Sequence, residues 1–414
     1  MGYREYNPAE DKEAVCRVLR EVGWLPPEEQ KERYLALALE CGRAMVADLN
    51  GAPECIVTTA MGEMRYLEHD IPLVEVTTVA TSRIARRRGL AKRLLAQALA
   101  ADRAEGAALA RVCVFDQGFY NQVGFGPGSY EHTLHFDPAT VNVEVRPRVP
   151  VRLSPDDAEL IHASRLARRR GHGSVVYPAS ALTEIEARFW AESAFGLGYR
   201  DGPNGKLTHH FWCSVGRGEA DHGPYHISWM TFQNRERFLE LMALIKGLSD
   251  QVRLIRMREP AGMQLQDLLD RPFRHRSLTE RSHFENRLAA DAFWQVRMLD
   301  LGKCLAHTHL RWGETRFNLH LDDAIERLLE ANVRWRGVGG DYVVTLGRES
   351  HAEPGSDSSL PTLTASVNAF TRLWLGVRPA TGLAVTDELS GPEGLLEELD
   401  TVLRLPEPKP DWDF

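Results

Sequence analysis

The stretch LVEVTTVATSRIARRRGLAKRLLAQALA, residues 73–100, decides the fold. Leu73 to Val79 is rich in β-branched residues and reads as a strand. Arg86-Arg87-Arg88-Gly89-Leu90-Ala91 follows, a basic loop of the form R-x-x-G-x-G/A. Leu90, Ala91, Leu94, Leu95, Ala98 and Leu99 then mark one face of a helix that ends near Gly106. Ala110 to Phe115 (ARVCVF) reads as a second strand. Strand, basic glycine loop, helix and strand in this order favour anion binding. The first N–H groups of a helix lack intrahelical partners and point outward. The helix dipole adds positive potential at the same place. Arg168-Arg169-Arg170-Gly171-His172-Gly173 matches the same pattern, but it follows a helix (157–170), where Gly171 reads as a C-terminal cap.

Outward from this core the chain is mixed α/β. Ala14, Val15, Val18, Leu19 and Val22 give a helical period over 11–22, and 33–39 reads as a second helix. Asn50-Gly51 reads as a hairpin turn. A second α/β block has strands near 226–232 and 252–257. A third opens on the strand-like WQVRMLDL, with strands at 308–310, 315–319 and 342–346 and helices at 365–373 and 393–405. The expected segments are 1–145, 146–290 and 291–414.

Composition sets the class. The 414 residues are 43% hydrophobic and 26% charged, ordinary for a folded soluble chain. Lys and Arg number 50 against 58 Asp and Glu, a net charge of −8, which argues against a nucleic-acid partner. None of the six cysteines forms a C-x-x-C pair, so no zinc ribbon is indicated, and reduced thiols in a cytoplasmic protein are expected. No apolar run approaches the roughly 20 residues of a membrane helix, and the first residues carry no signal-peptide core. No membrane partner and no metal are expected. His307 and His309 would alternate on a strand, and His209, His210, His222 and His226 form a histidine-rich region, where metal binding would need a convergent geometry that sequence does not show.

The loop over 86–91 resembles the acetyl-CoA motif of the GNAT N-acetyltransferases. The resemblance extends over most of the chain to the enhanced intracellular survival (Eis-type) N-acetyltransferases. VATSRIARRRGLAKRLL (79–95), FYNQVGFG (119–126), FWQVRMLDL (293–301) and LTASVNAFTRLWLG (363–376) carry it, together with the aromatic end Phe414. It implies an α/β (α+β) fold: a catalytic GNAT domain, a GNAT-like copy without the phosphate loop, and a sterol-carrier-like third domain. It also implies acetyl-CoA as co-substrate, a primary amine acceptor (aminoglycoside, polyamine or lysine type) and a hexamer. By that resemblance Val79, Ala80 and Thr81 line the pantetheine and acetyl group. Arg87, Arg88, Gly89, Leu90, Ala91 and Lys92 cradle the phosphates, and Phe115 and Asp116 border the cofactor. The last two replace a small polar pair, and Thr81-Ser82 replaces a proline-bearing variant of the loop.

Acetyl transfer to an amine needs a base for the ammonium, a donor for the carbonyl oxygen and an acid for the leaving thiolate. Tyr120 lies just past the second strand, flanked by Gly118, Gly124 and Gly126, and the resemblance gives it the acid's role. It gives the base's role to the terminal carboxylate of Phe414, on a tail stiffened by Pro406, Pro408 and Pro410. Asp413 and Trp24 are expected at the substrate. The alternative is a catalytically silent protein that binds an apolar ligand through its third domain.

Overall fold

The computed structural model describes residues 2–26, 29–113, 116–189, 194–202, 205–215, 222–272 and 285–412. The architecture is mixed α/β with several sheets. By mutual contact the chain forms two units, one of Met1–Ser129, His172–Tyr177 and Ala292–Phe414, the other of Tyr130–Gly171 and Pro178–Asp291.

The first unit opens with β1 (Gly2–Glu5) and α1 (Pro8–Glu21). Asn7 caps α1 by accepting from the Ala9 N–H at 3.1 Å, and Pro8 stands at the first position, where its missing N–H leaves no bond unmade. Next come α2 (Glu29–Glu40), β2 (Arg43–Leu49), β3 (Ala52–Tyr66) and β4 (His69–Thr81). Asn50 and Gly51, both at positive φ (56° and 86°), make the tight turn between β2 and β3. The chain continues with α3 (Leu90–Ala104), β5 (Leu109–Cys113) and α4 (Gln117–Asn121).

The sheet order is β1-β2-β3-β4-β5, then strand Trp294–Met298, then Gly126–Pro127, with Val175–Val176 paired to β3. Among the described residues every pairing in this sheet is antiparallel except β4 with β5, whose parallel register needs the α3 crossover. Alternation along β4 and β5 splits the residues between two faces. Val74, Val76, Ala110 and Val112 pack with Leu94, Leu95, Ala98 and Leu99 of α3. Val46, Ile56 and Ala80 pack with Val15 and Leu19 of α1.

The segment after 291 contributes to this sheet and to a second one. Strand Trp294–Met298 lies against β5, with Gln295 opposite Val112. Its Arg297 is fully buried and pairs with Asp323 at 2.8 Å. A five-stranded sheet follows in the order His351–Pro354, Gly340–Leu346, Thr315–Asp322, Thr362–Ser366, Leu389–Ser390. Helices Val367–Trp374, Ala380–Thr386 and Glu393–Val402 accompany it. The strand expected at 308–310 is irregular chain instead. Helix Leu301–Ala306 ends just before it, and the Thr308 hydroxyl donates back to the Cys304 carbonyl at 2.9 Å, which prolongs a helical turn.

The tail over 404–412 forms neither helix nor strand, with Pro408, Pro410 and Trp412 buried. Ser129 Oγ donates to the Pro408 carbonyl, and the Lys409 N–H donates to the His172 carbonyl at 2.9 Å. Asp411 Oδ1 accepts from Ser174 Oγ at 2.7 Å and from the Val175 N–H at 3.3 Å.

The second unit holds a seven-stranded sheet in the order Arg287–Asp291, Glu131–Phe136, Ile255–Arg258, Tyr225–Thr231, Leu207–Val215, Ala194–Arg200, Val151–Leu153. Among the described residues its parallel pair, Tyr225–Thr231 with Ile255–Arg258, is again joined by a helix, Arg235–Lys246. Each unit thus holds a strand–helix–strand motif of this kind. The helix read over 157–170 spans Ala158–Leu166 and ends on Ala167, so Gly171 is not its cap. Among the described residues no helix is long and apolar enough to cross a membrane.

His172 fastens the first unit internally. Its Nδ1 accepts from the Leu67 N–H at 3.1 Å, and its Nε2 lies 2.9 Å from the Leu375 carbonyl. Only the neutral ring with its proton on Nε2 serves both. Burial pushes its pKa from 6.5 down to about 4. The folded state therefore binds fewer protons than the unfolded chain between these values, and stability falls as pH drops through that window. His209 and His210 in the second unit are shifted down by burial as well. The urea midpoint should fall as pH is lowered from 6.5 to about 4, less steeply in His172→Gln. A midpoint flat over that interval would contradict the neutral buried histidines.

Candidate active site

β4 carries the site because it outruns its neighbour. β5 pairs with it over Leu73–Val76, and among the described residues the rest of β4 pairs with β3 alone. The β3–β4 register shifts between Thr58 and Thr59, which leaves Thr77 as the extra residue of a bulge. The Thr58 and Thr77 hydroxyls meet at 2.6 Å. Beyond the bulge, Val79, Ala80 and Thr81 present one main-chain edge that β5 does not use. Val79 packs against the α3 core, Ala80 is buried toward α1, and Thr81 Oγ1 lies 3.3 Å from Cys55 Sγ.

The loop after β4 is pinned at its start. The Ser82 N–H donates to the Glu54 carbonyl at 2.9 Å, and the Arg83 N–H donates to Glu21 Oε2 at 2.7 Å. Two left-handed residues, Arg87 (φ 60°) and Gly89 (φ 75°), then turn the chain into α3. α3 starts without a side-chain cap and without an acid in its first turn. Its leading N–H groups are left for a ligand or water. Arg86, Arg87 and Arg88 are exposed beside them. A Cβ on Gly89 would meet nothing within 4 Å, so space lies open above the backbone there. An uncapped helix end, an open approach and three cations suit a phosphate-bearing ligand. The helix Arg235–Lys246 of the second unit differs at this point: Asn234 caps it by accepting from the Arg237 N–H at 3.0 Å. The second arginine-rich copy is also spent on structure, since Arg168 donates to the Arg165 carbonyl at 2.7 Å and no helix starts there.

Tyr120 sits on α4, which Asp116 caps by accepting from the Phe119 N–H at 3.2 Å. Lys92, in the first turn of α3, donates to Gln122 at 2.5 Å and ties α4 to the N-terminal end of α3. The Tyr120 ring is 8% exposed and stands edge-on to Phe119 and Phe125. Burial, with the negative fields of Asp116, Cys113 and Glu75, pushes its phenol up to about 12. At neutral pH Tyr120 holds its proton and is a donor.

A buried charge cluster lies on the face of β4 and β5 away from α3, and sequence reasoning missed it. Glu75 and Arg111 stand opposite each other in the parallel register, both 0% exposed, and pair at 3.1 Å. Tyr177 donates to Glu75 Oε2 at 2.9 Å, and Arg111 Nη1 lies 3.3 Å from the Tyr177 oxygen. The same Nη1 donates to the Trp412 carbonyl at 3.3 Å, and Nη2 donates to Cys113 Sγ at 3.4 Å. Trp412 stands edge-on to Tyr177, with ring centroids 5.4 Å apart. The available signal was a lone charge inside each apolar strand, Glu75 in LVEVTTV and Arg111 in ARVCVF.

The remaining expected residues divide. Trp24 packs beside Leu19 and Leu25 on the α1 face of the sheet, in the cluster that contains Ala80. Phe115, Asp413 and Phe414 lie outside the described residues. The histidines serve packing or exposed contacts. His209 bonds Glu240 at 3.0 Å, His210 lies between Ser164 and Trp229, and His307 ends helix Leu301–Ala306 rather than lying on a strand. Among the described residues no three metal-ligating side chains form a metal-holding group.

Residues 3–128 match the acetyltransferase (GNAT) domain. No curated protein matches the sequence. Solved structures of similar fold include a conserved protein of unknown function from Enterococcus faecalis, described as a probable N-acyltransferase. It is 17% identical with a TM-score of 0.80, over 100% of this chain and 99% of that one. A GCN5-related N-acetyltransferase from Kribbella flavida matches with a TM-score of 0.74 at 16% identity, over 100% and 98%. Eis1 from Mycobacterium abscessus matches with a TM-score of 0.76 at 14% identity, over 100% of both chains. At these identities the likeness establishes the fold. The segment that carries the β4–α3 loop is thus an acetyltransferase (GNAT) domain, and the chain's enzyme class is N-acetyltransferase.

Proposed function

We propose that this chain, as an Eis-type enzyme, transfers the acetyl group of acetyl-CoA directly to a primary amine of aminoglycoside, polyamine or lysine type. The observation that carries the reading is the uncapped N-terminus of α3 beside the open edge of β4. In the proposal, N–H groups from Gly89 to Lys92 hold the phosphates, with Arg87 and Arg88 adding charge. Val79, Ala80 and Thr81 take the pantetheine arm and place the carbonyl, and Asp116 borders it. Acetyl-CoA supplies an activated thioester. Attack of the amine nitrogen forms the C–N bond and breaks the C–S bond. The terminal carboxylate of Phe414 takes the amine's proton, and Tyr120 gives one to the departing sulfur. The raised phenol supports the acid's role, because it stays protonated at neutral pH. Trp412 in the Glu75–Arg111 cluster supports a tail that passes Tyr120's neighbours. Trp24 and Asp413 are proposed at the amine. The sterol-carrier-like reading of 291–414 finds support in its five-stranded sheet accompanied by helices Val367–Trp374, Ala380–Thr386 and Glu393–Val402. Assembly as a hexamer belongs to the same proposal.

Two measurements test it. Gly89→Ala puts a side chain on a left-handed residue, which costs about 1–2 kcal/mol. It should lower stability by that amount and weaken coenzyme A binding in calorimetry. Unchanged affinity would move the phosphate site elsewhere. In a thiol-release assay over a panel of amines, Tyr120→Phe should lower kcat by about 10²–10⁴ while coenzyme A still binds. One residue added after Phe414 should lower kcat similarly. Full activity in either form would remove that residue's role.

A further inference from the structure

We propose that Arg111 is a positioning residue that fixes the end of the tail at the active site. This rests on the reading of the tail as the source of the base. A buried ion pair is poor value as packing, because two desolvated charges seldom outdo an apolar pair of similar volume. The guanidinium adds a rigid fork of donors. One side of that fork meets Glu75 and Tyr177, which are fixed by β4 and by the 172–177 segment. The same nitrogen reaches the main-chain carbonyl of Trp412. A carbonyl contact reads the path of the backbone whatever side chain stands there.

Other holds on the tail act at earlier residues or on side chains, the Tyr177 ring against Trp412 among them. Ser129 and His172 bind at 408–409, and Ser174 and Val175 bind the Asp411 side chain. Arg111 takes the main-chain carbonyl of Trp412, the last described residue of the tail. Its second terminal nitrogen donates to Cys113, and both Cys113 and Glu75 lie in the field felt by Tyr120. One guanidinium therefore ties the tail to the strands around the proposed acid.

The test uses full-length protein and two variants. Glu75→Gln/Arg111→Met removes both charges together, so neither is left buried alone. Arg111→Lys keeps the charge opposite Glu75 but loses the fork, and decides the matter if the double variant does not fold. Carboxypeptidase trimming followed by mass spectrometry should stop before Trp412 in the wild type and pass through it in the variants. Where amine acetylation is measured, kcat should fall by about a hundredfold, the scale of a small misplacement at a reacting centre, with KM for acetyl-CoA unchanged. Trimming that still stops before Trp412 in a folded variant overturns the assignment. So does a raised KM for acetyl-CoA with kcat intact. If the wild type acetylates no amine, the enzymatic reading fails, while the trimming result still decides on Arg111.

Discussion

The Glu75–Arg111 pair is the constraint around which the first unit is arranged. It sits within the parallel pairing of β4 with β5, with both partners fully buried. Its cost is met by enclosure: Tyr177 comes from a distant segment, Trp412 from the tail, and Trp294 lies under the guanidinium at 5.9 Å. These contacts require residues 172–177 and 292–412 to fold against the first 129. A chain read as successive domains therefore has its first and last segments in one contact unit. The pair also marks where β4 and β5 cease to share work. Below it they are ordinary parallel partners. Above it β4 turns through the bulge at Thr77 and offers its edge, and α4 carries Tyr120 nearby.

The two strand–helix–strand units explain why one anion site is expected per chain. Both have a helix linking a parallel pair. In the second, Asn234 already satisfies a leading N–H of the helix. In the first, Gly89 brings no side chain, and the left-handed turn at Arg87 and Gly89 leaves the helix end open. A single residue type at the cap decides whether the same backbone motif closes on itself or awaits a ligand.

Much of this was legible in the sequence, and the rest was hidden for physical reasons. Local signals served well: β-branched residues placed β4, apolar period placed α3, and Asn50-Gly51 placed the hairpin. Tyr120 could be named as a candidate because it follows β5 among glycines. Glu75 and Arg111 were not, because a lone charge in an alternating strand reads as an outward face. What buries them lies about a hundred residues away at Tyr177 and some three hundred away at Trp412. Thr308–Leu310 shows the converse. Its β-like composition yielded to a hydroxyl that bonds back one helical turn. Gly171, a plausible cap by spacing, lost that role because the helix stops at Leu166.

The central claim is that the open edge of β4 and the leading N–H groups of α3 form the coenzyme site. Amide hydrogen exchange of the full-length protein, with and without coenzyme A, tests it most directly. The account predicts added protection in peptides covering 79–81 and 89–92, and little change in 234–246. Protection absent from the first two stretches, or concentrated at the capped helix, would contradict it.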